Sequence, residues 1–364
     1  MNAKTHNQTS RTRGFTLVEL LVAMTIMVLL TVITVAALDS VRDSDKERGA
    51  SRSVQAMLEG ARARAIYEKQ SVGVRFLRDE TDDRTSTSMV YIMQPKDFAE
   101  GQIRVVDTGG ASPRPRQIQL GTLAPRWQTL RERKLLLDGA RIKLESVWYT
   151  IVESPNGSNN WELTKDFLGA IDTDFRYVLK LYPTIKPNET PVELPANVAV
   201  NLHFNASEVP SSWTKLNSSG TAPANNSLDI LFSPRGVITG SSRAQGTFHL
   251  VMSNTEDTTV GLPVVASNWL ASTAASTGDW IRPAGGNGNY YRATSSGTTS
   301  GTEPSWPSED GDTVTDGGVT WQCHIPGNRY VVSVFTQSGR VATAPINEQT
   351  NDAFQYAELG EDAK

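Results

Sequence analysis

The chain has 364 residues, 35 basic and 39 acidic side chains and a net charge of −4, a balance that gives no pointer to nucleic acid. Its single cysteine, Cys323, excludes an intramolecular disulfide, and its four scattered histidines give no zinc-ligand spacing. The length suits one large domain or two modest ones.

The first fourteen residues carry Lys4, Arg11 and Arg13 and no acid. Phe15–Leu38 follows, 24 residues with one charge, Glu19. As a helix this run is about 36 Å long, enough to span a bilayer. A secretory signal has a shorter apolar core and a small-residue cleavage site behind it. Here the glycine, Gly14, stands in front of the apolar run. A basic leader before the span and an acidic bulk after it put the bulk outside the cytoplasm. A carboxylate within such a run is costly and marks a function.

Beyond the span, Val54, Met57, Leu58, Ala61 and Ala65 lie at helical spacing, so one helix is predicted from Phe15 to about Lys69. Arg52, Arg62, Arg64 and Lys69 fall mostly on other faces and read as solvated surface. From Val72 the period changes to two, with Val72, Val74 and Phe76 on one side of a strand. "SMVYIM", "GQIRVVD", "KLLLDGARIKLE", "FRYVLKLYP" and "VAVNLHF" read as further strands. The acidic run from Arg78 to Ser88 reads as a solvated hairpin loop, and Pro113–Trp127 as irregular. Pro234 and Gly236 set a tight turn after the strand Leu228–Phe232. The fold class is α+β: a long N-terminal helix, half transmembrane and half amphipathic, packed on a mainly antiparallel β-sheet head with a small all-β insertion.

Gly14-Phe15-Thr16-Leu17-Val18-Glu19 resembles the prepilin cleavage and methylation motif of type IV pilins and type II secretion pseudopilins. The resemblance implies cleavage by a prepilin peptidase between Gly14 and Phe15, and N-methylation of Phe15. It also implies pairing of Glu19 with the amino terminus of a neighbouring subunit. A neighbour's cation would neutralise the carboxylate and set the register of packed helices. Three more segments resemble H-type minor pseudopilins, the GspH/FimT-like group: the helix-to-strand junction "MLEGARARAIYEKQSVGVRF" with Ala63-Arg64-Ala65-Ile66, "LDILFSPRGVITG", and "YVVSVFTQSGRVATAP" with Ser338-Gly339-Arg340. The expected function is that of a minor pseudopilin, a structural subunit of the secretion pseudopilus. It would sit single-pass in the inner membrane with its head in the periplasm. Its partners would be other pseudopilins or pilins, met through the N-terminal helix, and the prepilin peptidase/methylase. The alternative is a minor type IV pilin in a pilus or DNA-uptake fibre with an adhesive or glycan-binding insert.

Between "TFHLVMSN" and "RYVVSVF", expected hairpin partners, lies a Gly/Ser/Thr-rich stretch with Trp280, Tyr290, Tyr291, Trp306 and Trp321. It resembles a small β-module of phage tail and secreted surface proteins, for which sugar binding is often suggested. The five aromatics are the candidates for stacking on a glycan, against the plainer role of filling a small core. Asp310, Asp312 and Asp316 lack the spacing of a calcium loop. The domains read as leader 1–14, helix 15–69 with 15–38 in the membrane, head 70–262 and 327–364, and inserted module 263–326. No nucleophile elbow, phosphate loop or histidine pair occurs. The expectation is a protein with no enzymatic activity, metal or cofactor.

Overall fold

The computed structural model describes residues 17–79, 85–107, 116–120, 126–153, 161–202, 227–239, 246–348 and 352–360; for 32–45 only the backbone is described. The chain divides into two compact units between Lys46 and Glu47.

The first helix is Leu17–Glu68. Over 17–31 its side chains are exposed and almost wholly apolar. Thr25 and Thr31 return their hydroxyls to the carbonyls of Leu21 and Met27, at 2.6 and 2.7 Å. Bonds of this kind let a hydroxyl sit in an apolar helix without an unmet donor. Among the described residues no helix is long and apolar enough to cross a membrane. The apolar run of the sequence continues to Leu38, through residues whose side chains are not described.

In the second unit, Val54, Met57, Leu58, Ala61 and Ala65 are all buried, as their spacing predicts. They pack on Val72, Val74, Phe76, Ile230, Phe248 and Val332. The sheet beneath runs, in spatial order, Ile238–Thr239, Ser227–Phe232, Val72–Arg78, Thr85–Met93, Val198–Asn201, Thr247–Asn254, Tyr330–Phe335, Val341–Pro345. Its neighbours are antiparallel throughout. Thr85 and Ser86, expected in a loop, are buried strand residues: Val200 pairs with Ser86 and Asn201 with Thr85. The acidic residues Glu80, Asp82 and Asp83 lie outside the described residues.

The chain leaves this sheet at Met93 and returns at Thr184, which pairs with Met93. The segment between builds a seven-stranded antiparallel sheet of its own, in the order Asp174–Phe175, Ile103–Asp107, Arg116–Leu120, Trp161–Leu163, Val147–Glu153, Ala140–Leu144, Tyr177–Lys180. Its separate core includes Ile118, Trp127, Ile142, Ile151, Trp161 and Leu179. The expectation of irregular chain over Pro113–Trp127 is corrected here. Arg116–Leu120 is a strand, buried through Ile118, and a helix starts at Trp127. Pro113 and Pro115 stop short of the strand, so its ladder loses no donor to proline.

A second excursion leaves after Thr247–Asn254, through a short helix Thr255–Val260 capped by the Asn254 side chain and ended by Gly261 at φ 73°. It returns at Tyr330, the partner of Met252. The flanking strands pair from Thr247↔Phe335 to Met252↔Tyr330. Between them stands a five-stranded sheet ordered Ser267–Asn268, Trp280–Arg282, Tyr290–Ala293, Val319–His324, Thr313–Asp316.

Candidate functional site: the N-terminal helix, its clamp and the inserted module

Gly14 and Phe15 lie outside the described residues. Glu19 is exposed in the first helical turn, where the positive end of the helix dipole favours an acid. That preference is about 0.3–1 kcal/mol, so it offsets only a part of what a carboxylate costs in hydrocarbon.

The junction of helix and head is built by residues far apart in the chain. Arg62 donates from Nε to the Gly236 carbonyl and from Nη2 to the Ser338 carbonyl, both at 3.1 Å. These carbonyls belong to two tight turns. At one, Gly236 N–H bonds to Ser233 O with Gly236 at φ 75°. At the other, Gly339 N–H bonds to Phe335 O with Gly339 at φ 66°. The turns touch: a Cβ on Gly339 would stand 1.8 Å from the Gly236 oxygen. Arg64 pairs with Glu189 at 2.5 Å and lies 3.9 Å over the Tyr91 ring. The reading of Arg62 and Arg64 as solvated surface is thereby corrected. Their hydrogen-bond partners are more than a hundred residues distant, which helical spacing alone cannot reveal.

In the inserted module Tyr290, Tyr291 and Trp321 are 1, 0 and 1 % exposed. Their polar tips have partners inside the protein: Tyr290 with Arg329, Tyr291 with the Pro307 carbonyl, Trp321 with Asp316. These three rings leave no face open to a ligand. Trp280 and Trp306 are half-buried, Trp280 edge-on to His324 and Trp306 bonded to Glu303. Asp316 is an internal hub, accepting from Trp269 Nε1 at 2.7 Å, Trp321 Nε1 at 3.2 Å and Ser300 N at 2.8 Å. Burial pushes its carboxyl up, but the hydrogen bonds from Ser300, Trp269 and Trp321 outweigh that and hold it below the usual range. The carboxylate is thus spent on ordering the core. No cluster suited to a metal ion occurs among the described residues.

The module's stem is ionic. His324 bonds through Nε2 to the buried Asp257 at 2.8 Å, and its Nδ1 lies 3.4 Å from Asp310. Burial opposes charge on this ring, yet the hydrogen bond and charge of Asp257, aided by Asp310, raise its pKa. Arg329, also buried, holds Glu348 at 2.7 Å, the Pro263 carbonyl at 2.8 Å and the Tyr290 hydroxyl. Val264, placed in the insert by sequence, packs instead with Val251, Val331, Ile346 and Phe354 of the head.

Residues 9–35 match the family model described as the prokaryotic N-terminal methylation motif. The motif indicates a type IV pilin-like or pseudopilin subunit, a structural rather than catalytic class. It implies processing by a prepilin peptidase, assembly with other pilin-type subunits, and membrane anchoring with a periplasmic head. No curated protein and no solved structure matches the chain.

Proposed function

We propose that the chain is an H-type minor pseudopilin of a type II secretion pseudopilus, anchored by residues 15–38 as a single pass of the inner membrane. The observation that carries this is the joining of the methylation motif to the helix Leu17–Glu68, whose distal half is buried in an antiparallel head. The H-type assignment draws support from the clamp. Arg62, Gly236 and Ser338–Gly339 come from the three segments that resemble that group, and they meet at one point. In this reading Gly14 is the cleavage position, Phe15 the methylated terminus and Glu19 the register residue. The head comprises 70–264 and 327–364, with Val264 in its core, interrupted by the module 265–326. The sheet between Met93 and Thr184 is a second inserted module, since its exit and entry strands are also neighbours.

Mass spectrometry of the membrane form tests the processing. The expected terminus is N-methylated Phe15, and Gly14→Val leaves the leader attached. An intact leader in the native protein, or a cut beyond Leu38, would refute the proposal. Genes for a secretin and secretion ATPase beside this one favour the pseudopilus; genes for pilus retraction favour the type IV pilin.

A further inference from the structure

The sheet built between Met93 and Thr184 closes on itself. Its two end strands, Asp174–Phe175 and Tyr177–Lys180, follow one another in the chain with only Arg176 between them. The first pairs with Ile103 and Arg104, the second with the run from Arg141 to Leu144. Ile142, Leu144, Tyr149, Ile151, Tyr177 and Leu179 are buried in the core of this sheet. Their alternates along the strands, Arg141, Lys143, Trp148, Thr150, Val178 and Lys180, therefore share the outer face. Arg141 stands opposite Lys180 and Thr150, and Lys143 opposite Trp148 and Val178.

This face is positive and its charges are unmatched. Like charges set directly opposite across a ladder destabilise a sheet, yet Arg141 and Lys180 are so placed. Both lie over the Trp148 ring, at 5.4 and 5.3 Å from its centroid, which offsets a part of that cost. Among the described residues no carboxylate pairs with Arg141, Lys143 or Lys180. Glu153 is held by Arg131 and Asp174 by Arg104, while Glu145 stands in the turn beyond Lys143 and pairs with none of the three. Neighbouring positions on such a face are about 7 Å apart along a strand and about 5 Å apart across strands. The cations therefore form a flat array, suited to a surface that carries many anions rather than to one anion in a pocket.

We infer that this face docks on the surface of an anionic phospholipid membrane, with Arg141, Lys143 and Lys180 meeting lipid phosphates and Trp148 seated at headgroup level. Trp148 is half-buried, and Val147 beside it is 51 % exposed, an amphipathic ring and an apolar neighbour of the kind that settle at a lipid–water boundary. A single-stranded nucleic acid fits less well, because the Trp148 ring already carries two cations and is a poor platform for stacked bases. Lipid is the anion at hand, since the methylation motif implies membrane anchoring of this chain. The inference rests on the assembly reading for that point alone.

Sedimentation with sucrose-loaded vesicles decides it. The full chain, carried in phosphatidylcholine nanodiscs, is mixed with vesicles of phosphatidylglycerol and phosphatidylcholine, or of phosphatidylcholine alone. It should sediment with the anionic vesicles and stay behind with the neutral ones, and excess inorganic phosphate should not release it. A chain that stays in solution without discs would undo the anchoring, yet its docking is read in the same assay. Lys143→Gln with Lys180→Gln should weaken binding about thirtyfold, and Arg141→Gln alone about fivefold. None of the three side chains is buried, so thermal unfolding of both variants should match the native chain. Equal sedimentation with neutral vesicles, release by inorganic phosphate, undiminished binding by either variant, or tighter binding of a single-stranded oligonucleotide than of the anionic vesicles would each overturn the inference.

Discussion

The buried His249 makes the fold sensitive to acid. Its ring is stacked 4.0 Å from Phe354, and its Nδ1 is 2.7 Å from the Ser333 hydroxyl. Its Nε2 lies 3.1 Å from Glu358 of the C-terminal helix. Burial pulls its pKa down to about 4, only partly opposed by Asp352. The neutral ring therefore accepts from Ser333 and donates to Glu358. Unfolding frees it to titrate near 6.5, so between pH 6.5 and 4 the unfolded chain holds the extra proton. Stability from this group is complete above pH 6.5 and is lost as pH falls towards 4. From pH 7 to 4.5 the loss is about 2.5 kcal/mol. Burial and Asp352 raise Glu358, whose protonation on acidification offsets a part of that loss. Denaturant unfolding of the full chain in detergent at the two pH values measures the sum. His249→Gln, which keeps an acceptor and a donor without the titration, should remove most of the difference. A variant that loses as much stability as the native chain over that window would refute the assignment.

Glu19→Ala should leave cleavage and membrane insertion intact, since removing an acid eases burial by up to about 3 kcal/mol; co-purification with fibres should nevertheless fall, and normal incorporation would count against the register role. Gly339→Ala forces a Cβ against the Gly236 oxygen at φ 66°, so thermal unfolding should show a loss of about 3 kcal/mol or more. Replacing residues 265–326 by a short Gly-Ser turn should leave a folded head, because the flanking strands are already paired. It should still cost about 3 kcal/mol, since Asp257 loses His324 and Arg329 loses Tyr290. Adding Asp257→Asn should recover a good part of that loss in the same unfolding assay, and loss of cooperative unfolding in both would show the module to be integral to the core.

What the sequence determined by itself is what depends on neighbours in the chain. The methylation motif over residues 9–35, with its apolar run, is read as a linear string. The buried face at Val54, Met57, Leu58, Ala61 and Ala65 follows from the helical repeat, and Val72, Val74 and Phe76 from the strand repeat. The Pro234–Gly236 turn is encoded where it stands. Other features hang on the order of strands in a sheet, which brings together residues that no local pattern links. Arg62 became a clamp only because two glycine turns, 174 and 276 residues away, meet beneath it. Arg116–Leu120 became a strand because Trp161–Leu163 and Ile103–Asp107 flank it, satisfying a backbone that the nearby prolines had marked as irregular. The module's aromatics looked alike in sequence. Tertiary packing divided them, burying Tyr290, Tyr291 and Trp321 where a partner for each polar tip lay within reach, and leaving Trp280 and Trp306 half-open. Val264 went to the head's core rather than the insert for the same reason: an apolar side chain joins whichever core the fold sets beside it, and that is a property of the assembled sheet.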